Sequence, residues 1–311
     1  MNNRAESTTT ARPNRPRRRP VLQAILWLVG VVYLVPLVWM VVLSFKPADQ
    51  AAAPGIGFLP RFGRSGGGAD LGIFEATYWR RLCGQIAANY GEVWSGATAD
   101  FPLYLRNTAV IGVLSVAGMV ASSAVVAYGF SRLRWRGRDA VFLVVLATLM
   151  IPPVVLMAPL YVLFKQLGWI GTFRPLWVPC WFGGAFSIFL LRQFFLTIPR
   201  ELDEAARIDG CSHWGVFWRV ILPNARPALV VVALMQFIAS WNDFLGPLVF
   251  LNHERQYTLS LGLQNYQAQH GGTPWNLVMA FSVLVVLPVL VMYLLARRLF
   301  VEGVAATGIK E

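Results

Sequence analysis

The decapeptide ELDEAARIDG, residues 201–210, is a charged, helix-forming run in an oily neighbourhood. It lies between FSIFLLRQFFL (186–196) and LVVVALMQFIA (229–239), both apolar enough for a bilayer. A polar helix with an Ala-Ala step and a terminal Gly, kept between two spans, calls for a reason. Pro199 suits the first turn of a helix, where its missing N–H costs nothing. Glu201, Asp203 and Glu204 follow, and acidic groups there oppose the positive end of the helix dipole. Leu202, Ala205, Ala206 and Asp209 share one small, nearly smooth face by their spacing. Gly210 is placed to end the helix in a left-handed conformation, and Ser212 to cap the next one. HWGVFWRVILP (213–223) then sets Trp214, Phe217, Trp218 and Ile221 on one side, with Pro223 as the stop. The pattern predicts a rigid helical hairpin. Physics alone leaves open whether it docks a partner or lies on the lipid surface.

The surrounding chain is a membrane protein by composition. Of 311 residues, 56% are hydrophobic and 14% charged, against roughly 25% charged in soluble domains. Segments 21–44, 103–130, 140–164, 176–196, 227–251 and 276–296 are each long and apolar enough to span. The expected class is all-α and polytopic, with six transmembrane helices. The division is a basic tail 1–20, a first span 21–44, a long loop 45–102, a five-helix core 103–296 containing the loop 197–225, and a tail 297–311. The first apolar run exceeds the roughly 7–15 residues of a signal core, so it is expected to be retained as a span. Small residues in VAGMVASSAVVAYG (116–129) place the second span inside the bundle. Pro152, Pro153 and Pro159 predict a kinked or unwound third span near the bundle centre. The aromatics of FEATYWRRLCGQIAANYGEVW (74–94) predict a short helix in the long loop, a packed cap by default.

The formal charge is +12. In an oily chain that excess reports topology rather than nucleic acid. Arginines crowd the first 20 residues, SRLRWRGRD (131–139) and the flanks of 197–225, while the alternate short loops carry few. Both termini and the hairpin are therefore expected on the cytoplasmic side of the membrane. Cys83, Cys180 and Cys211 form no metal or disulfide pattern, His213, His253 and His270 are expected to be solvated, and HERQY (253–257) is not a metal-binding HExxH. No cofactor, metal site or catalytic group is expected.

The residues also carry a resemblance. EAARIDG (204–210) followed by VILP (220–223) resembles the EAA loop of binding-protein-dependent ATP-binding-cassette importer permeases. Glu204, Ala205, Ala206, Gly210, Ile221, Leu222 and Pro223 fill the motif, with Val220 as its first apolar position. LRQFFLTIPRELDEAARIDG, FIASWNDFLGPLVFL, TLSLGLQNY and RRLFVEGVAATGIKE are similar to the carbohydrate subset, the type of the second membrane subunit of maltose importers. The likeness runs over about residues 101–311 and departs in the long loop with GRSGGGAD. It implies a type I importer permease fold and an ATPase-coupling role for Glu204, Ala205, Ala206, Arg207, Asp209, Gly210 and Pro223. In that role Glu204 bonds a basic group of the ATPase, Ala205 and Ala206 permit close docking, and Gly210 sets the turn. It further implies a second permease subunit, a cytoplasmic ATPase dimer and an extracytoplasmic solute-binding protein, contacted by Gln264, Asn265 and Gln267 in the loop 253–275. The ATPase must be separate, because Lys46, Lys165 and Lys310 follow Phe45, Phe164 and Ile309 and no Gly-Lys-Ser/Thr exists.

Asn242 and Asp243 are polar groups inside the fifth span and candidates for the solute pathway, with Trp241 as a stacking face. Three alternatives remain open: a polyol or glycerophosphodiester cargo, an intramembrane enzyme using Asp243, and a membrane scaffold without transport.

Overall fold

The computed structural model describes residues 20–55, 57–64, 68–95, 99–267 and 272–307, with side chains described up to residue 295. The tail 1–19, residue 269, Gly271 and Lys310 lie outside the described residues. The order is α1 (Pro20–Ser44), α2 (Ala48–Ala52), β1 (Gly63–Arg64), β2 (Gly68–Asp70), α3 (Ala76–Ser95), α4 (Phe101–Ser131), α5 (Arg138–Ala147) and α6 (Pro153–Gln166). It continues with α7 (Arg174–Trp177), a 3₁₀ stretch Val178–Phe182, α8 (Ala185–Thr197), α9 (Arg200–Ile208), α10 (His213–Val216), a π-helical turn Phe217–Ile221 and α11 (Leu222–Asn224). It ends with α12 (Arg226–Trp241), α13 (Leu245–Phe250), α14 (Leu259–Gln267) and α15 (Trp275–Thr307).

Among the described residues, four helical stretches are long and apolar enough to cross a bilayer, and two bent pairs bring the number to six. Among the described residues the regular structure is helical apart from the small antiparallel β1–β2 pair in the long loop, which hydrophobic patterning did not disclose. α1 stands apart, with Trp27 and Tyr33 exposed, and packs along α15.

α4 is the central rod, as its small residues predict. Gly112, Ser115, Gly118, Ser123, Ala124 and Ala127 are buried, and α8, α12 and the 178–182 turn pack on them. A Cβ at Gly118 would collide with the ring of Trp181, whose indole N–H donates to the Leu114 carbonyl at 3.1 Å.

The third span does break, with α5 and α6 meeting at 98° around Ile151–Pro152. The break is not at the bundle centre. Met150 is 84% exposed, and Val154 and Val155 also point outward. The core of this chain is filled by α4, α8 and α12, so the corner lies at its edge. The fifth span is also discontinuous, because α12 stops at Trp241 and α13 resumes at Leu245.

At the other end of α4 the long loop forms a packed cap. Asn89 of α3 is buried and donates to the Ser44 and Lys46 carbonyls at 2.8 and 3.0 Å. Its Oδ1 accepts from Asn276 at 3.0 Å and from Gln85 at 2.9 Å. One amide thus ties the ends of α1, α3 and α15. Lys46 is buried beside it, 5.2 Å from the Trp39 ring centroid, and burial pushes its ammonium pKa down. Asn89→Leu should leave several of these groups unpaired, at about 1–3 kcal/mol per buried group. Faster proteolysis or hydrogen exchange across residues 76–95 is the expected result. Unchanged protection would show that Phe62, Tyr78 and Leu82 hold the cap without it.

Candidate functional site

The polar hairpin folds much as its sequence implies, with its faces assigned differently. Pro199 is the N-cap, not the first helical residue, with extended ψ of 138°. α9 then runs to Ile208 and ends in a complete Schellman turn. The Cys211 N–H bonds the Ala206 carbonyl at 2.9 Å, and the Gly210 N–H bonds Arg207 at 3.0 Å. Gly210 has φ +86° with open space around it, so backbone conformation rather than crowding requires glycine. Ser212 caps α10 by accepting from the Gly215 N–H at 3.2 Å.

The predicted smooth face of 202, 205, 206 and 209 is split. Ala206 packs inward on the core formed by Leu191, Phe195, Phe217 and Ile221, while Leu202, Ala205 and Asp209 face out. Ile208 is 87% exposed. The second helix divides likewise, since Phe217 and Ile221 are buried and Trp214 and Trp218 are exposed. Pro223 does not stop the hairpin. The π-helical turn ahead of it loosens the hydrogen-bond ladder where Pro lacks an N–H, and helix continues to Asn224. The direction changes at Ala225, where α12 departs at 78°.

Asp203 is not a dipole-facing surface acid but the inward anchor of α9. Its Oδ2 accepts from Arg132 Nη1 at 3.1 Å, with side-chain exposures of 3% for Arg132 and 12% for Asp203. Arg132 Nη2 also donates to the carbonyls of Phe195 and Ile198 at the end of α8, the latter at 2.7 Å. One guanidinium therefore joins α4, α8 and α9. One turn earlier, the Tyr128 hydroxyl donates to the His213 carbonyl at 3.0 Å and fixes α10. In the sequence Arg132 reads as one of several topology charges. Four arginines alternate in 132–138, and nothing local marks the first as buried. Its one signal is position, a turn after Tyr128 on the packed side of α4.

Beside this anchor lies a groove of ≈ 700 Å³. Arg134, Trp135, Arg200, Glu204, Arg207 and His213 line it. Glu204 is exposed there among basic groups. Arg207 Nη2 lies 3.0 Å from His213 Nδ1.

The fifth-span candidates have different surroundings. Trp241 is buried, stacked on Phe237 at 5.1 Å, and its N–H donates to Val285. Its ring therefore packs in the core and offers no free stacking face in this chain. Asn242 is exposed and donates to the Ile238 carbonyl at 2.9 Å. Asp243 is half-buried in the break, and its Oδ1 accepts from the Gly246 N–H at 3.0 Å, capping α13.

The loop 253–275 is held to α4 over its first part. Asn107 donates to the Arg255 and Tyr257 carbonyls, and Thr108 accepts from the Leu259 N–H at 2.9 Å. α14 buries Leu259 and Tyr266 and leaves Gln264 and Gln267 exposed, with Asn265 half-buried.

A helical bundle of bilayer length, broken spans and a clamped polar hairpin at one end are the features of a polytopic membrane protein. Residues 101–302 match the family described as binding-protein-dependent transport system inner membrane component. The chain belongs to that family. It is 34% identical over 300 residues to the trehalose/maltose transport system permease protein of Thermococcus litoralis, covering 94% of this chain and 99% of that protein. It is 29% identical to the arabinooligosaccharides transport system permease protein of Halalkalibacterium halodurans, covering 91% and 93%. The sn-glycerol-3-phosphate transport system permease protein of Rhizobium meliloti is 33% identical, covering 72% and 81%. In fold it is similar to a crystal structure of a bacterial ABC transporter involved in import of the acidic polysaccharide alginate, with TM-score 0.71, 22% identity and coverage of 92% and 99%.

Arg132→Met should leave Asp203 buried without its counter-charge, at a cost of about 3–5 kcal/mol. Pairing it with Asp203→Leu should recover most of that loss. Thermal unfolding of the solubilised protein reads both. A double variant as unstable as the single would sink the ion-pair account.

Proposed function

We propose that the chain is the membrane-spanning permease subunit of an ATP-driven, binding-protein-dependent importer for a sugar or oligosaccharide. The observation that carries this is a helix bolted to the bundle on one face, with Leu202, Ala205 and Ile208 exposed among charged groups on the other. Leu202 and Ile208 are 43% and 87% exposed on α9, whose opposite side holds the buried Asp203–Arg132 pair. Exposed apolar groups on a rigid support suit a partner surface.

In this reading α9 docks in a groove of a separate cytoplasmic ATPase dimer. Ala205 admits close approach, and Glu204 accepts a charge-assisted hydrogen bond from a basic group there. Arg207 and Asp209 are rim contacts, worth about 0–1 kcal/mol each. Gly210 and Pro223 shape the two turns that carry the docking motion into α12. Both termini then face the cytoplasm. A second permease subunit completes the path, to which Asn242 and Asp243 contribute, backed by Trp241. Gln264, Asn265 and Gln267 meet the extracytoplasmic solute-binding protein. The carbohydrate assignment draws on the relatives. Those named for trehalose/maltose and arabinooligosaccharides match over 94% and 91% of this chain, against 72% for the glycerol-3-phosphate relative.

A tagged chain should recover an ATPase from native membranes. Glu204→Lys or Gly210→Pro should lower that recovery about tenfold or more, because a like-charge contact or a broken docking turn costs well over 1.4 kcal/mol. Membrane insertion of each variant serves as the folding control. Recovery unchanged by both substitutions removes the docking role.

A further inference from the structure

α12 carries a polar line through an apolar helix. Gln236 and Ser240 lie one turn apart on its same face, and Asp243 follows in the break just beyond its last residue. All three are half-buried. Across from them is the 3₁₀ stretch Val178–Phe182, whose Cys180 thiol lies 3.5 Å from Gln236 Nε2. Gln236 Nε2 also donates to Ser240 Oγ at 3.1 Å. Ser115 of α4 is fully buried, and its hydroxyl donates to the Leu176 carbonyl at 3.3 Å.

Two features separate this strip from ordinary glue between helices. The bonds are poor, because the one acceptor that Gln236 finds across the gap is a thiol, which accepts weakly. A packing contact at bilayer depth would gain from a full partner. The strip also runs between two interruptions of the helical ladder, at Gly183–Gly184 and at 242–244. Non-helical backbone at that depth persists where protein buries it or where it lines a watered space. Half-buried amide, hydroxyl and thiol groups between two such breaks fit the second case.

We propose that Cys180, Gln236, Ser240 and Asp243 form the polar wall along which this subunit passes its cargo, and that the wall selects neutral polyhydroxylated solutes. The inference rests on the importer reading above and adds the residues and the charge class. The amide and hydroxyl offer both donors and acceptors to sugar hydroxyls. The strip has one carboxylate and no basic group, so an acidic sugar would meet repulsion without a cation to offset it.

The test uses the assembled importer in native membranes, with Cys83→Ser and Cys211→Ser so that Cys180 is the reporter. Uptake of maltose, trehalose and arabinotriose by the unmodified importer is measured first. Failure there speaks against the importer reading and not against the strip. A water-soluble cationic methanethiosulfonate should then label Cys180. The oligosaccharide that is taken up should slow that labelling at least about threefold, the protection of a mostly occupied site. Gln236→Leu should raise the uptake KM about fivefold to tenfold, the loss of one hydrogen bond, while ATPase recovery by the tagged chain stays unchanged. Gln236→Asn should restore part of it. An unreactive Cys180, labelling that no transported sugar slows, or an unaltered KM in Gln236→Leu each overturns the wall. Competition by alginate pentasaccharide as strong as that of the neutral sugar overturns the charge class.

Discussion

A nearly buried guanidinium at the edge of the hairpin groove governs this architecture. Arg132 sits 9% exposed at the end of α4, where its Nη1 donates to Asp203 and its Nη2 to the carbonyls of Phe195 and Ile198. Taking such a charge out of water costs several kcal/mol, and an apolar replacement of equal volume is often as stable. What the pair supplies is uniqueness of position. α9 cannot slide or rotate without exposing Asp203 or stranding Arg132 in the interior. The C-terminal carbonyls of α8 are answered by the same group, so the turn between α8 and α9 is determined along with the helix. The hairpin is in this sense an extension of α4.

α4 is equally committed at its opposite end. Tyr104, Asn107 and Thr108 bond Glu254, the carbonyls of Arg255 and Tyr257, and the Leu259 N–H. Gly262 admits the Tyr104 ring, since a Cβ there would overlap it. A helix of 31 residues, roughly 45 Å long at 1.5 Å per residue, thus holds polar segments at both ends through side-chain bonds. Between them its small residues let α8 and α12 approach closely, where loss or gain of one methyl is felt. A displacement imposed on the hairpin has a stiff element to act through. The proposed coupling between a docked ATPase and the far side needs such an element.

Much of this was legible in residues whose role is local. The Schellman turn followed from Gly210, the α10 cap from Ser212, the interior place of α4 from its Gly, Ala and Ser content, and the α5–α6 break from Pro152 and Pro153. What escaped depends on partners far along the chain. Arg132 and Asp203 are 71 positions apart, and each fits a surface explanation that spacing alone favours. Asn89 likewise reads as a loop polar group until its partners at Ser44, Lys46 and Asn276 are known. Helical periodicity names two faces but not which one is inside. Ala206 turned inward and Ile208 outward because the anchor at Asp203 fixes the rotation of α9.

The surfaces left unfinished have opposite chemistry, and that difference constrains what completes them. The α5–α6 corner presents Met150, Val154 and Val155 to the outside around a break in the ladder. Its backbone groups need cover by protein at bilayer depth, because lipid offers them no hydrogen bonds. The breaks at 183–184 and 242–244 instead border Cys180, Gln236, Ser240 and Asp243. A second apolar subunit packed on that side would strand polar atoms, so it suits a space that holds water or a hydroxylated solute. A chain with one edge that requires a protein neighbour and another that requires an aqueous one has the layout of half a pore wall.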